Sequence, residues 1–259
     1  MKAGRRVSRA ALAAAISLGL AVEAQAGEFG TRCQQTFDND WQAPLSWVYD
    51  RCSGFNDRAN DNNAQLFYCY VNGGSGFRSN DGSTGYCGVD TVDLFYVSTH
   101  GGVNGTDAVL ARKPVGGLAL SSQWRFGDNG NQVAIFSQYA CKTLAIDGNA
   151  YTRWVNPFKG GLYLATGSHD IFVDGWTTAG TGYDYADGLT HGKSVKWAWF
   201  DGNSDWWFDQ DVAIYASSSG SESGCGLRRD YMTGQNINLF GRVRDGYMNR
   251  ICASWVTDI

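Results

Sequence analysis

VDLFYVSTHGG (residues 92–102) and VAIFSQYAC (residues 133–141) decide the reading of this chain. Each begins with a short, almost unbroken run of β-branched, aromatic and aliphatic residues and stops at small or polar ones. Runs of this kind suit strands buried on both faces, as in a parallel sheet covered by helices. Two further blocks repeat the pattern: GLYLAT (residues 161–166) runs into Gly167, Ser168, His169 and Asp170, and VAIYA (residues 212–216) runs into a Ser/Gly loop. QLFYCYV (residues 65–71) reads as a first strand closed by Asn72, Gly73 and Gly74. Residues 27–63 read as polar and aromatic, with loop-like Asn/Asp clusters. Helices are expected over residues 118–126, 143–154 and 192–200, the last with its aromatic residues near helical spacing. No repeat, heptad or linker divides the chain. The expectation is an α/β fold with a mostly parallel central sheet flanked by helices.

The amino terminus reads as an export signal. Lys2, Arg5, Arg6 and Arg9 precede an apolar run over residues 10–22, and Ala24, Gln25 and Ala26 supply small residues for cleavage. That run is shorter than the roughly 20 residues needed to cross a bilayer. Cleavage near Ala26 would leave residues 27–259 as one domain in a secreted or periplasmic location. The 259-residue chain has 21 Lys and Arg against 25 Asp and Glu; residues 1–26 hold four of the former and one of the latter, so removing them shifts the net charge from −4 to −7. An acidic surface does not suit nucleic acid or an anionic membrane as partner, and no later segment suggests membrane insertion. A monomer is expected. Ten Trp and 13 Tyr point to a thick aromatic core.

All seven cysteines, Cys33, Cys52, Cys69, Cys87, Cys141, Cys225 and Cys252, follow the signal. In an oxidising compartment six can pair and one remains, with the connectivity left open. Cys141 is the candidate for the odd thiol, because it alone ends an apolar block in the middle of the chain. A nucleophilic cysteine needs a group that favours its thiolate, and a nearby imidazole does this. His100 lies two residues after one buried block and Cys141 four after the next. Sites in open α/β sheets form beyond the carboxyl ends of the strands. If the two strands are neighbours, both side chains emerge at one edge. Gly101 permits close backbone approach, and its N–H and that of Cys141 could serve a developing oxyanion.

The two blocks resemble those of the caspase, legumain, clostripain and gingipain cysteine peptidases (clan CD). In that group one hydrophobic block ends in His-Gly, here DLFYVSTHGG (residues 93–102), and a second ends in a small residue followed by Cys, here Ala140 and Cys141. The interval of 41 residues from His100 to Cys141 is similar to the spacing in the group, and the likeness covers about residues 89–170. The chain is also similar to a secreted bacterial family with the same His-Gly and Ala-Cys blocks. The resemblance implies a three-layer caspase-like domain, Cys141 as nucleophile, His100 as its acid/base partner, and Gly101 and Cys141 as backbone oxyanion donors. It implies a protein or peptide substrate and no required cofactor. A charged specificity pocket would follow, with Asp170 or Asp174 placed to meet a basic side chain; either also reads as a turn or capping aspartate.

Other residues keep other readings open. His100, His169 and an aspartate could form a metal-dependent hydrolase site, although no HExxH spacing supports it; His191 reads as a surface loop residue. Asp201, Asn203 and Asp205 place oxygen ligands at alternate positions, which admits calcium, but the loop lacks the sixth-position Gly and the closing Glu. Trp197, Trp199, Trp206 and Trp207 suit either a helix packed on the sheet or an exposed platform. The platform reading makes the protein a non-catalytic secreted binding module for glycan.

Overall fold

Side chains that alternate across a strand fill two cores when both faces are apolar, and the four blocks do this. The computed structural model describes residues 28–37, 43–61, 65–67, 89–111, 118–127, 133–219, 222–233 and 248–259. In chain order its elements begin with β1 (Glu28–Cys33), α1 (Val48–Asp61), β2 (Gln65–Phe67), β3 (Leu94–Ser98), β4 (Gly101–Asn104), β5 (Asp107–Ala111) and β6 (Leu118–Leu120). They continue with β7 (Ile135–Tyr139), α2 (Ala150–Lys159), β8 (Leu164–Ser168), α3 (Thr181–Thr190), α4 (Val195–Gly202), β9 (Val212–Ser218), α5 (Glu222–Tyr231) and β10 (Arg250–Val256). The apolar blocks are β3, β7, β8 and β9, buried along their whole length.

The main sheet runs β10-β9-β8-β7-β3-β1-β2. Strands β2, β1, β3, β7 and β8 are parallel, and β9 is antiparallel to both β8 and β10. Leu94, Tyr96, Ile135, Leu164 and Ile214 point to one core, shared with Phe55 of α1, Tyr185 of α3 and Trp199 of α4. Phe95, Val97, Phe136, Ala165 and Tyr215 point to the other, closed by Trp154 and Phe158 of α2 and by Leu110 and Ala119 of the small antiparallel sheet β4-β5-β6. The architecture is therefore mixed α/β with a mostly parallel sheet covered on both faces.

Several local expectations are corrected. Residues 118–126 are not a helix; β6 and a 3₁₀ turn (Ser121–Gln123) occupy them. The helix expected from residue 143 starts at Ala150, because residues 141–144 form the turn that follows Cys141. The stretch 27–63 holds β1 and a full helix. In α1 the buried residues Val48, Arg51, Cys52, Phe55, Asn56 and Ala59 keep helical spacing, but Arg51 and Asn56 break the apolar stripe. Gly182 explains how α3 packs so closely on α1: a Cβ there would stand 1.9 Å from the Arg51 carbonyl oxygen. The hairpin β4–β5 turns at Gly105, whose φ of 59° suits the first position of a primed turn.

Disulfides Cys33–Cys52 and Cys225–Cys252 tie β1 to α1 and α5 to β10, and Cys141 is the free cysteine among the described residues. Such bonds fit an oxidising compartment. Cys69, Cys87, the export segment (residues 1–26) and residues 68–71 of the strand expected at 65–71 lie outside the described residues. Among the described residues no helix is long and apolar enough to cross a membrane.

Candidate active site

Strands β3 and β7 are hydrogen-bonded neighbours in parallel register, with Ser98 opposite Tyr139. Their carboxyl ends therefore deliver His100 and Cys141 to the same edge of the sheet. The turn into the small sheet holds His100: Thr99 N–H donates to Tyr139 O (3.2 Å), and Ala111 N–H donates to His100 O (2.8 Å). The turn after β7 is fastened more heavily. Lys142 N–H donates to Asp170 O (2.7 Å), Leu144 N–H to Ser168 O (2.8 Å), and the Trp154 indole N–H to Thr143 O (2.8 Å).

Gly101 joins the two blocks. A Cβ built there would lie 2.7 Å from both Ala140 Cβ and Cys141 O, and 2.9 Å from Thr143 Cγ2. Only glycine allows this contact, and a side chain larger than that of Ala140 would press on it. The β4–β5 ladder also decides where the Gly101 amide points. His100 O is bonded to Ala111 N–H, so pairing alternates and Gly101, opposite Leu110, is a non-bonded position. Its N–H faces the open edge of the small sheet.

His100 and Cys141 line one cleft of about 230 Å³ with Leu45, Arg51, Tyr139, Phe172 and Asp174. His100 also borders a second hollow of about 260 Å³ with Gly101, Val103, Val109 and Leu118. His100 Nε2 lies 2.8 Å from Ala43 O. A carbonyl only accepts, so Nε2 donates to it, and Nδ1 is the nitrogen left to act as a base. Phe37 packs against the imidazole with ring centroids 4.9 Å apart. The Cys141 sulfur lies 3.4 Å from both Phe172 O, to which the thiol donates, and Phe172 N, whose N–H it can accept. Burial pushes the thiol above its ordinary range; the Phe172 and Cys141 amides and Lys142 pull the other way, less strongly.

The two pocket aspartates separate. Asp174 lines the cleft, but Arg51 donates to its Oδ1 (2.5 Å), and it accepts the N–H groups of Ser46 (2.6 Å) and Trp47 (3.3 Å) just before α1. Arg51 is buried, donates to Ser98 Oγ and Thr178 Oγ1, and lies 4.2 Å over the Tyr139 ring. Asp170 is outside the cleft lining and forms an ion pair with Lys142 (2.9 Å). Sequence reasoning missed Ala43, Leu45, Arg51, Tyr139 and Phe172. Phe172 follows β8 at the strand edge where sites form, a usable signal; Arg51 lies in the polar stretch and offered none.

The calcium candidates are otherwise engaged. Asp201 pairs with Lys193 (2.8 Å), Asn203 donates to Trp199 O at the end of α4, and Asp205 accepts from Thr177, Trp207 and Phe208. His169 faces Asp211 and Thr257, and His191 is exposed beside Asp187. Among the described residues no three His, Cys, Asp or Glu side chains gather as metal ligands. Trp199 is core, whereas Trp197, Trp206 and Trp207 are exposed, the last two meeting at 81° rather than in one plane.

No curated protein matches the chain. The model of a family described as a domain of unknown function (DUF6345) matches residues 34–239, about four fifths of the sequence, including both His100 and Cys141. The chain belongs to the DUF6345 family.

Proposed function

We propose that this protein is an exported cysteine peptidase on a caspase-like α/β domain, with Cys141 as nucleophile and His100 as its proton acceptor. The observation that carries the reading is the contact of Gly101 with Ala140 and Cys141. It joins the two blocks that resemble clan CD peptidases at the carboxyl edge of neighbouring parallel strands, where sites of open α/β sheets form. The free thiol and the imidazole line one cleft.

The chemistry follows from these groups. As the sulfur attacks the substrate carbonyl carbon, the thiol proton passes to Nδ1 of His100, which acts as a general base at that moment. Ala43 O holds the ring through Nε2. The Gly101 and Cys141 N–H groups stabilise the oxyanion. The imidazolium then protonates the leaving amine, and water, deprotonated by the same imidazole, hydrolyses the thioester and restores the thiol. No cofactor enters these steps. The two hollows that His100 borders would receive the substrate peptide. Because Arg51 offsets the charge of Asp174, the cleft favours an uncharged substrate side chain over a basic one.

The test is turnover of a fluorogenic peptide library by the chain without residues 1–26. Hydrolysis of substrates with uncharged residues, abolished by Cys141→Ala and by His100→Ala, is the expected result. Hydrolysis that survives Cys141→Ala would remove the reading. The exposed Trp176 (60%), Trp206 (79%) and Trp207 (59%) favour a second reading, a glycan-binding module. Retention on a glycan array that is unchanged by Cys141→Ala, with no peptide turnover, would establish it.

A further inference from the structure

Lys142, directly after Cys141, is one of two non-glycine residues with positive φ among the described residues (55°). L-residues avoid this region unless their surroundings hold them there. Asp170 holds Lys142 from the neighbouring strand end. Lys142 N–H donates to Asp170 O (2.7 Å), and Lys142 Nζ returns to Asp170 Oδ1 (2.9 Å). Two residues further along, Phe172 meets the Cys141 sulfur through both its N–H and its carbonyl. The segment after β8 thus grips the nucleophile and its neighbour together.

Among the described residues, few charged groups surround the sulfur. His100 comes from the end of β3, Arg51 from α1 and Asp174 from the segment after β8, the last two paired with each other. The Tyr139 phenol donates to Val173 O, and burial, partly offset by Arg51, pushes it up to about 12, so it stays neutral. Lys142 and Asp170 are the remaining pair. Both are about half-exposed.

We propose that Lys142 and Asp170 are a positioning pair for Cys141, in which one backbone hydrogen bond and one ion pair hold the turn after β7 so that the sulfur is seated at the cleft. The proposal rests on the reading of Cys141 as nucleophile. Burial is the largest influence on the thiol; within the smaller ones, Lys142 draws it down and Asp170 pushes it up.

The two residues therefore act with opposite signs, which a purely structural clasp would not do. The experiment is the rate of iodoacetamide labelling of Cys141 in the native protein as a function of pH. Lys142→Gly keeps a residue suited to positive φ and removes the cation. Its profile should move up by on the order of half a pH unit, with labelling at neutral pH falling roughly threefold. Asp170→Asn keeps the backbone acceptor and removes the anion, so its profile should move down by a similar amount. Lys142→Arg should behave as wild type. Both shifts should shrink when salt is raised to about 1 M, where screening shortens to about 3 Å. Shifts in the same direction, or none, with wild-type Cys141 labelling normally, would overturn the pair alone. A wild-type Cys141 that labels only after denaturation would overturn the nucleophile and the pair together.

Discussion

Gly101 is the position at which a single methyl group should matter most. In Gly101→Ala that methyl would overlap Ala140 and the Cys141 carbonyl at 2.7 Å, both fixed in backbone contact. Overpacking of this kind typically costs about 1–3 kcal/mol. Urea denaturation should show that loss, and the cleft should lose its thiol reactivity in the folded fraction. Wild-type stability in Gly101→Ala would mean that the blocks do not touch as described. This contact also explains why the site was legible in the sequence. Close approach demands small residues, so His-Gly and Ala-Cys stood out at the ends of apolar runs. Arg51 and Ala43 were not legible: one contributes a buried guanidinium from a polar stretch, the other only a carbonyl oxygen. The upward push on the thiol was hidden as well, since it depends on burial in the folded chain.

At the level of elements, α1 shows why half the secondary structure escaped the sequence. The amides of Ser46 and Trp47, just ahead of its first residue Val48, are met by Asp174, more than a hundred residues away in sequence, an anchor that no local motif announces. Its inward face includes Arg51, made tolerable by Asp174, Ser98 and Thr178. β1 was hidden for the same reason, because Thr31 is buried against Asn56 of α1. By contrast β3, β7, β8 and β9 carry their burial in their composition and were read directly. Asp174→Ala removes the partner of a buried cation and the acceptor of two backbone amides just before α1 together. Loss of one member of a buried ion pair costs about 3–5 kcal/mol. The thermal midpoint should fall accordingly, and a double variant Arg51→Met, Asp174→Ala should recover part of the loss. Equal stability of Asp174→Ala and wild type would contradict the assigned role of the pair.

Across the whole molecule, one mostly parallel sheet takes strands from both ends of the described chain, and its carboxyl edge holds every residue assigned to the cleft. The two disulfides sit in the same core, one near each end of the strand order, and Cys141 is the free cysteine among the described residues. On the proposed function this thiol, assisted by His100, is the reactive group of the protein. The most direct test is iodoacetamide labelling of the folded, non-reduced protein between pH 5 and 9, with the modified residue mapped by mass spectrometry. Labelling confined to Cys141, and slowed roughly tenfold or more at neutral pH by His100→Ala, is the predicted result. Labelling that awaits denaturation, or that proceeds equally fast without His100, would contradict it.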